Sequence, residues 1–315
     1  MANKVATRNA YGMALAKLAD KYPEVVCFDA DLAGATMSKF FLDAHPDRFF
    51  DMGIAEANMQ GVAAGMAACG MKPFTNTFAM FAAGRSWEQV RNTIAYPGLN
   101  VKVVGSHGGL SVGEDGATHQ RIEDFAIMRV IPGMMVLCPC DGYEMEQAVE
   151  ALINYDGPAY MRLGRLAVDV VTDQIEGYKF ELGKGAQLRD GKDVAIIANG
   201  MMVQMALEAA NQLAAEGINA RVIDMHTIKP LDTEIIKKAA EETGAIVVSE
   251  EHNVIGGLGA AVAEFCAENC PVPVVKHGVN DEFGRSGKAP AVLEAYGLTA
   301  EVIAEKAKKA IAMKK

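Results

Sequence analysis

Short apolar runs alternate along the chain with longer stretches in which apolar positions recur every three or four residues. That alternation predicts βαβ units around largely parallel sheets. In the first half, Val25–Phe28, Val101–Gly105, Met134–Cys138 and Ala159–Leu163 read as strands. Helices are expected over Arg8–Lys21, Glu56–Cys69, Ser86–Ala95 and Tyr143–Asn154. From Asp169 to Lys192 the helical period disappears and charges and glycines take over, which marks a junction. A second α/β unit then begins, with strands at Val194–Ala198, Ala220–Asp224, Ala245–Ser249 and Val272–Lys276. Its helices fall near Met205–Glu216, Thr233–Thr243 and Ala260–Glu268. The prediction is two doubly wound α/β domains with mostly parallel sheet, residues 1–170 and 193–315, joined by a linker over 171–192.

Composition narrows the partners. Of 315 residues half are hydrophobic, enough for a substantial core, and 30 Lys plus Arg against 40 Asp plus Glu give a net charge of −10. An acidic chain has no electrostatic footprint for a nucleic-acid backbone, so any phosphate site must be local. Lys17, Asp20 and Lys21 interrupt every candidate signal-peptide core, and no run approaches the ~18 apolar residues of a membrane span. The six cysteines at 27, 69, 138, 140, 266 and 270 show no zinc spacing, and reduced core thiols in a cytoplasmic protein are expected.

Four segments carry candidate chemistry. Gly256-Gly257-Leu258-Gly259 lacks the GxGxxG spacing and reads as a close-packed turn. The glycine-rich stretch from Ser106 to Gln120 places His107, Glu114, Asp115 and His119 after a strand. Metal ligation, a plain surface loop, and catalysis or sugar binding are all open there. Glu56 opens a helix made otherwise of small and apolar residues; it is either a dipole-favoured cap or a buried carboxyl able to hold a proton near neutral pH. Phe78 and Phe81 stand three residues apart, which is core spacing in a helix and also makes a flat-walled pocket for an aromatic ring. His226, His252 and His277 fall near strand ends, where structural or interface roles are expected.

Taken together, ATRNAYG, DADL, GIAEANMQGVAAGMA, NTFAMF, GEDGATHQ and GPAYMRLGR resemble the carboxyl-terminal section of transketolase, a thiamine diphosphate enzyme, over essentially the whole chain. The resemblance implies that Glu56 hydrogen-bonds the aminopyrimidine ring nitrogen, favouring the imino form that takes the thiazolium C2 proton. It implies that Phe78, Phe81 and Arg85 flank the pyrimidine and that Asp31 lies near the thiazolium. It places Arg8 and Arg162 on the substrate phosphate, His107 and His119 on sugar hydroxyls or in proton relay, and Asp115 on the hydroxyl beside the carbonyl. The implied reaction is transfer of a two-carbon ketol unit from a ketose phosphate to an aldose phosphate, as in pentose phosphate interconversion. Three positions depart from the pattern: Gly108 follows His107 where an Asp is common, Ala35 stands for a phosphate-binding Ser, and Gly84 for a third pocket aromatic.

The diphosphate-binding GDG followed by Asn is missing; Glu114-Asp-Gly, Cys140-Asp-Gly and Arg189-Asp-Gly have no leading glycine. The resemblance therefore implies a partner chain, an N-terminal transketolase subunit holding the diphosphate through Mg²⁺ or Ca²⁺, with no metal ligand on this chain. A two-plus-two heterotetramer, self-associating through the C-terminal domain, is the expected assembly. Competing readings are the beta subunit of a 2-oxo acid dehydrogenase, a deoxyxylulose phosphate synthase-like enzyme, and a non-catalytic assembly subunit.

Overall fold

A computed structural model of the protein describes residues 4–314. The strands are β1 (Lys4–Ala6), β2 (Val25–Asp29), β3 (Phe49–Asp51), β4 (Lys72–Phe78), β5 (Lys102–Ser106), β6 (Met135–Leu137) and β7 (Ala159–Arg162). They continue with β8 (Ala167–Asp169), β9 (Ala186–Arg189), β10 (Val194–Ala198), β11 (Ala220–Asp224), β12 (Thr227–Lys229), β13 (Ile246–Asn253) and β14 (Val274–Val279). A seven-stranded sheet runs β12-β6-β7-β5-β4-β2-β3, a five-stranded sheet β14-β13-β10-β11-β9, and β1 pairs with β8. Only the edge strands β12 and β9 run antiparallel to their large sheets. The expected fold class, two α/β units with mostly parallel sheet, is what forms.

The apolar runs form strands because they are buried on both faces, as in β2 and β10, where every residue is inside. Three helices start where a side chain satisfies a free amide. Asp141 accepts from Glu144 N, Asp232 from Ile235 N and Thr299 from Val302 N. Gly244, at φ 68°, ends the helix Thr233–Thr243 in a left-handed turn.

Two features depart from the sequence reading. The polar run KPFTNTF forms β4, a central strand, because its amide and the Thr75 hydroxyl are paired inside: Tyr11 Oη donates to Asn76 Oδ1 at 2.6 Å, Asn76 Nδ2 donates to the Phe28 carbonyl at 2.9 Å, and Thr75 Oγ1 donates to Gln60 Oε1 at 3.1 Å. The stretch read as a linker contains β9, which adds an edge to the second sheet, and Asp141 accepts from Val171 N and Thr172 N, pinning its start to the first unit. In addition, β12 from the second half completes the first sheet, Thr227 opposite Leu137. One apolar core accordingly runs through both units, from Val26 and Phe28 to Ile197, Ile223 and Leu258. No helix among the described residues is long and apolar enough to cross a membrane.

Where the units meet, Asp224 ends β11 fully buried, and neither carboxylate oxygen has a hydrogen-bond partner among the described residues. Cys140, Glu144 and Asp224 bring ligand-type atoms within 4.8 Å of one another. Burial first, then the neighbouring Glu144, pushes the Asp224 carboxyl well above the carboxylate range. The folded protein therefore keeps a proton that the unfolded chain releases near pH 4, so this group's contribution to stability falls as pH rises. Asp224→Asn should fold more stably than the wild type, with a margin that widens between pH 5 and pH 8 in urea unfolding.

Candidate active site

Because β2, β3, β4, β5 and β7 are parallel, their carboxyl ends lie on one edge of the sheet, where α/β proteins place ligands. Asp31 follows β2, Glu56 follows β3, Phe78 closes β4, His107 follows β5 and Arg162 closes β7. Glu56 is 4% exposed at the first position of the helix Glu56–Ala68. It is not a cap: the side chain that meets its carboxylate is Arg85, whose Nη1 donates to Oε1 at 3.0 Å. The Arg85 guanidinium also lies 4.1 Å over the Phe81 ring. Phe78 and Phe81 do not share a helix face, since one ends a strand and the other opens the π-helical turn Phe81–Arg85. Their rings still stack, with centroids 5.9 Å apart and planes 15° apart.

His107 adopts φ 57° directly after β5 and stacks on Phe78 at 4.1 Å. Its Nδ1 lies 2.8 Å from Ser106 Oγ, and its Nε2 lies 3.4 Å from Arg8 Nη1. Burial, then Arg8, Arg165 and His119, lower its pKa to about 3. The ring is thus neutral around pH 7, fitted to exchange hydrogen bonds with hydroxyls and not to store a proton. His119 meets both phenyl rings edge-on, 6.2 Å from Phe78 and 5.5 Å from Phe81. Asp115 is exposed on the same loop. Asp31, also exposed and at φ 62°, stands on a loop organised by Asp29, which accepts from Leu32 N, Thr36 Oγ1 and Ser38 Oγ.

Arg162 is placed otherwise than the sequence reading expects. Its side chain is 4% exposed, facing Asp124 at 3.6 Å and stacking on Phe125 at 4.6 Å. Nη2 donates to the carbonyls of Glu251 at 2.8 Å and Arg121 at 3.2 Å. Nη2 is thus spent on main-chain carbonyls, and the guanidinium lies buried against Asp124 and Phe125. Glycine at 108 has its reason here, because a Cβ would sit 1.9 Å from Arg162 Nε. Arg165, three residues on and past the end of β7, is the cation that reaches the surface: it pairs with Glu114 at 2.7 Å and its charge acts on Arg8 and His107.

Residues 3–170 match the family described as transketolase, pyrimidine binding domain, and residues 183–303 match the transketolase C-terminal domain. The chain belongs to the transketolase family. It is 47% identical over 300 residues to a putative transketolase C-terminal section of Methanocaldococcus jannaschii, covering 95% of this chain and 94% of that one. It is also 47% identical, over 94% of this chain and 91% of the relative, to the 6-deoxy-6-sulfo-D-fructose transketolase subunit SqwH of Clostridium sp. strain MSTE9. Among solved structures, a split gene transketolase described as an inactive beta4 tetramer aligns with a TM-score of 0.92 at 50% identity, over 99% of this chain and 100% of that one. The reading of the sequence as the C-terminal section of a split transketolase is borne out.

Within this transketolase chain the signal for Arg165 was present in GPAYMRLGR. A strand predicted through Leu163 already encloses Arg162, leaving Arg165 as the arginine of the exposed turn. Removing one member of a buried ion pair costs about 3–5 kcal/mol. Arg162→Ala should therefore lower unfolding stability by roughly that amount, whereas a phosphate-clamp role would leave stability near wild type. Guanidinium chloride unfolding measures the difference.

Proposed function

We propose that this chain is the C-terminal subunit of a split transketolase that moves a two-carbon ketol unit from a ketose phosphate to an aldose phosphate with thiamine diphosphate. The observation that carries the reading is the buried Glu56 carboxylate beside the stacked Phe78 and Phe81, engaged by a flat cation lying on Phe81. Such surroundings suit a planar ring whose nitrogen can share a proton with a carboxyl, as an aminopyrimidine's can. Arg85, whose side chain is 53% exposed, has solvent to turn into when such a ring takes its place, where it can remain at the ring's edge.

Thiamine diphosphate supplies, when bound, the thiazolium carbon that carries the two-carbon unit. Glu56 would share a proton with the pyrimidine ring nitrogen, in surroundings dry enough to make that bond strong. His107 and His119 would bond the sugar hydroxyls, Asp115 the hydroxyl beside the carbonyl, and Asp31 would stand near the thiazolium. Arg8 and Arg165 would hold the substrate phosphate, for which a guanidinium offers two parallel charge-assisted bonds.

The partner would be an N-terminal transketolase subunit that holds the diphosphate with Mg²⁺ or Ca²⁺. Support comes from the missing GDG and Asn pattern, and from the acid groups themselves: the one cluster of potential metal ligands among the described residues, Cys140, Glu144 and Asp224, is fully buried. A two-plus-two heterotetramer formed through the C-terminal domain fits the inactivity of the beta4 relative. A cytoplasmic location fits the six cysteines, all unpaired.

Reconstitution with an N-terminal section, thiamine diphosphate and Mg²⁺ tests the reading. Two-carbon transfer should appear with both chains, and Glu56→Gln should reduce turnover on the order of 10²–10⁴-fold with assembly unchanged in size-exclusion chromatography. Undiminished turnover in that variant would remove Glu56 from the mechanism.

A further inference from the structure

A cleft of about 380 Å³ opens beside His107, lined by Arg8, Arg165 and Glu114 from the first domain and by Lys288, Ala289 and Pro290 from the second. Three cations face one carboxylate, so the mouth carries net positive charge in a chain whose overall charge is −10. Glu114 is held below the ordinary carboxylate range by the hydrogen bond from Arg165 first, with the Arg165 and Lys288 charges adding to it. Arg165 also donates to the Val112 carbonyl, which fixes it on the loop that carries Asp115 and His119.

The second-domain segment that bears Lys288 is locked to that same loop. Gln120 Nε2 donates to the Arg285 carbonyl at 3.0 Å and to the Leu110 carbonyl at 3.2 Å. At Gly113, φ 78°, an added Cβ would stand 3.1 Å from the Gly287 carbonyl oxygen and 3.2 Å from Ala289 N. A Cβ at Gly116 would meet Ser286 Oγ at 2.2 Å. Gly113 thus lets the backbones of the two domains touch and Gly116 makes room for the Ser286 side chain, so the Lys288 backbone is fixed relative to the loop that carries His119. Its side chain is exposed and has no carboxylate within ion-pair distance among the described residues.

We propose that Lys288 of the C-terminal domain is a specificity-determining residue that, with Arg8 and Arg165, binds the anionic terminus of the substrate, a phosphate monoester or a sterically similar dianion. The assignment of a sugar phosphate to this edge rests on the ketol-transfer reading; the anion site itself rests on the cleft and its charges. The C-terminal domain then does more than associate: it sets how strongly the enzyme prefers a charged sugar over an uncharged one.

Two measurements separate the claims. In the reconstituted complex, the ratio of kcat/KM for D-ribose 5-phosphate to that for D-ribose should fall about tenfold in Lys288→Ala, roughly the loss of one charge-assisted bond. It should fall further in Lys288→Glu and recover in Lys288→Arg. In the isolated chain, titration with inorganic phosphate should give a dissociation constant that rises several-fold in Lys288→Ala and that 0.5 M NaCl also raises. A complex that transfers no two-carbon unit, together with phosphate binding that weakens in Lys288→Ala, would defeat the ketol-transfer reading and keep the anion site. Unchanged phosphate binding in Lys288→Ala, or an equal loss for ribose and its phosphate, would overturn the role of Lys288.

Discussion

The Arg162 guanidinium is the point on which the site loop, the first sheet and the second domain all bear. Its charge faces Asp124, its plane lies on Phe125, and its Nη2 holds the Glu251 carbonyl of β13. Glu251 in turn accepts from Ser111 N through its carboxylate, so the glycine-rich loop is tied to the second domain one bond away. Such an arrangement is stable only while every donor and charge is paired, because an unpaired buried charge costs several kcal/mol. The absence of side chains at Gly108 and Gly109 is part of the same design: added Cβ atoms would meet Arg162 and the Glu251 carboxyl within 1.9 and 2.2 Å. The loop can therefore adopt one position, and His107 is delivered against Phe78 by that constraint.

From this geometry follows a separation of charge along the sheet edge. At one end a buried carboxylate, Glu56, sits beside two phenyl rings; at the other, Arg8 and Arg165 meet beside a neutral imidazole. At the first end the carboxylate is already met by the flat Arg85 cation, and the cationic end favours an anion. His107 is neutral because burial and the two arginines both oppose its protonation, which leaves it free to bond a hydroxyl placed between the two ends.

The alternation of apolar runs and helical periods contained the fold class, since β2, β10 and their neighbours are buried on both faces and so read as unbroken hydrophobic segments. What could not be read was every strand whose stability comes from pairing rather than from apolar content. β4 hides Thr75, Asn76 and Thr77 inside the sheet, where the partners Tyr11 and Gln60 come from distant positions. β9 and β12 are edge strands of three or four residues, and β12 pairs with a sheet built almost entirely by the other half of the chain. For the site, residue type and loop position pointed to Glu56, Phe78, Phe81 and His107, which the structure places along one edge of the sheet. They did not separate Arg162 from Arg165, two arginines in one motif of which one is the buried last residue of a strand and the other lies past its end. Residue type alone does not carry that distinction; position relative to the end of the strand does.

Domain boundaries in this chain describe continuity of sequence better than they describe continuity of structure. The second half supplies β12 to the first sheet, the Glu251 carbonyl to Arg162, and the 285–289 segment to the loop after β5. In each contact the second half offers main chain, a strand or a carbonyl, and two of the three are completed by a side chain of the first half, Arg162 or Gln120. A rigid-body shift of the second domain would consequently break hydrogen bonds at the sheet edge, beneath the arginine and along the loop at the same time. The site loop that carries His107 and His119 is held in place by that threefold attachment to the C-terminal domain.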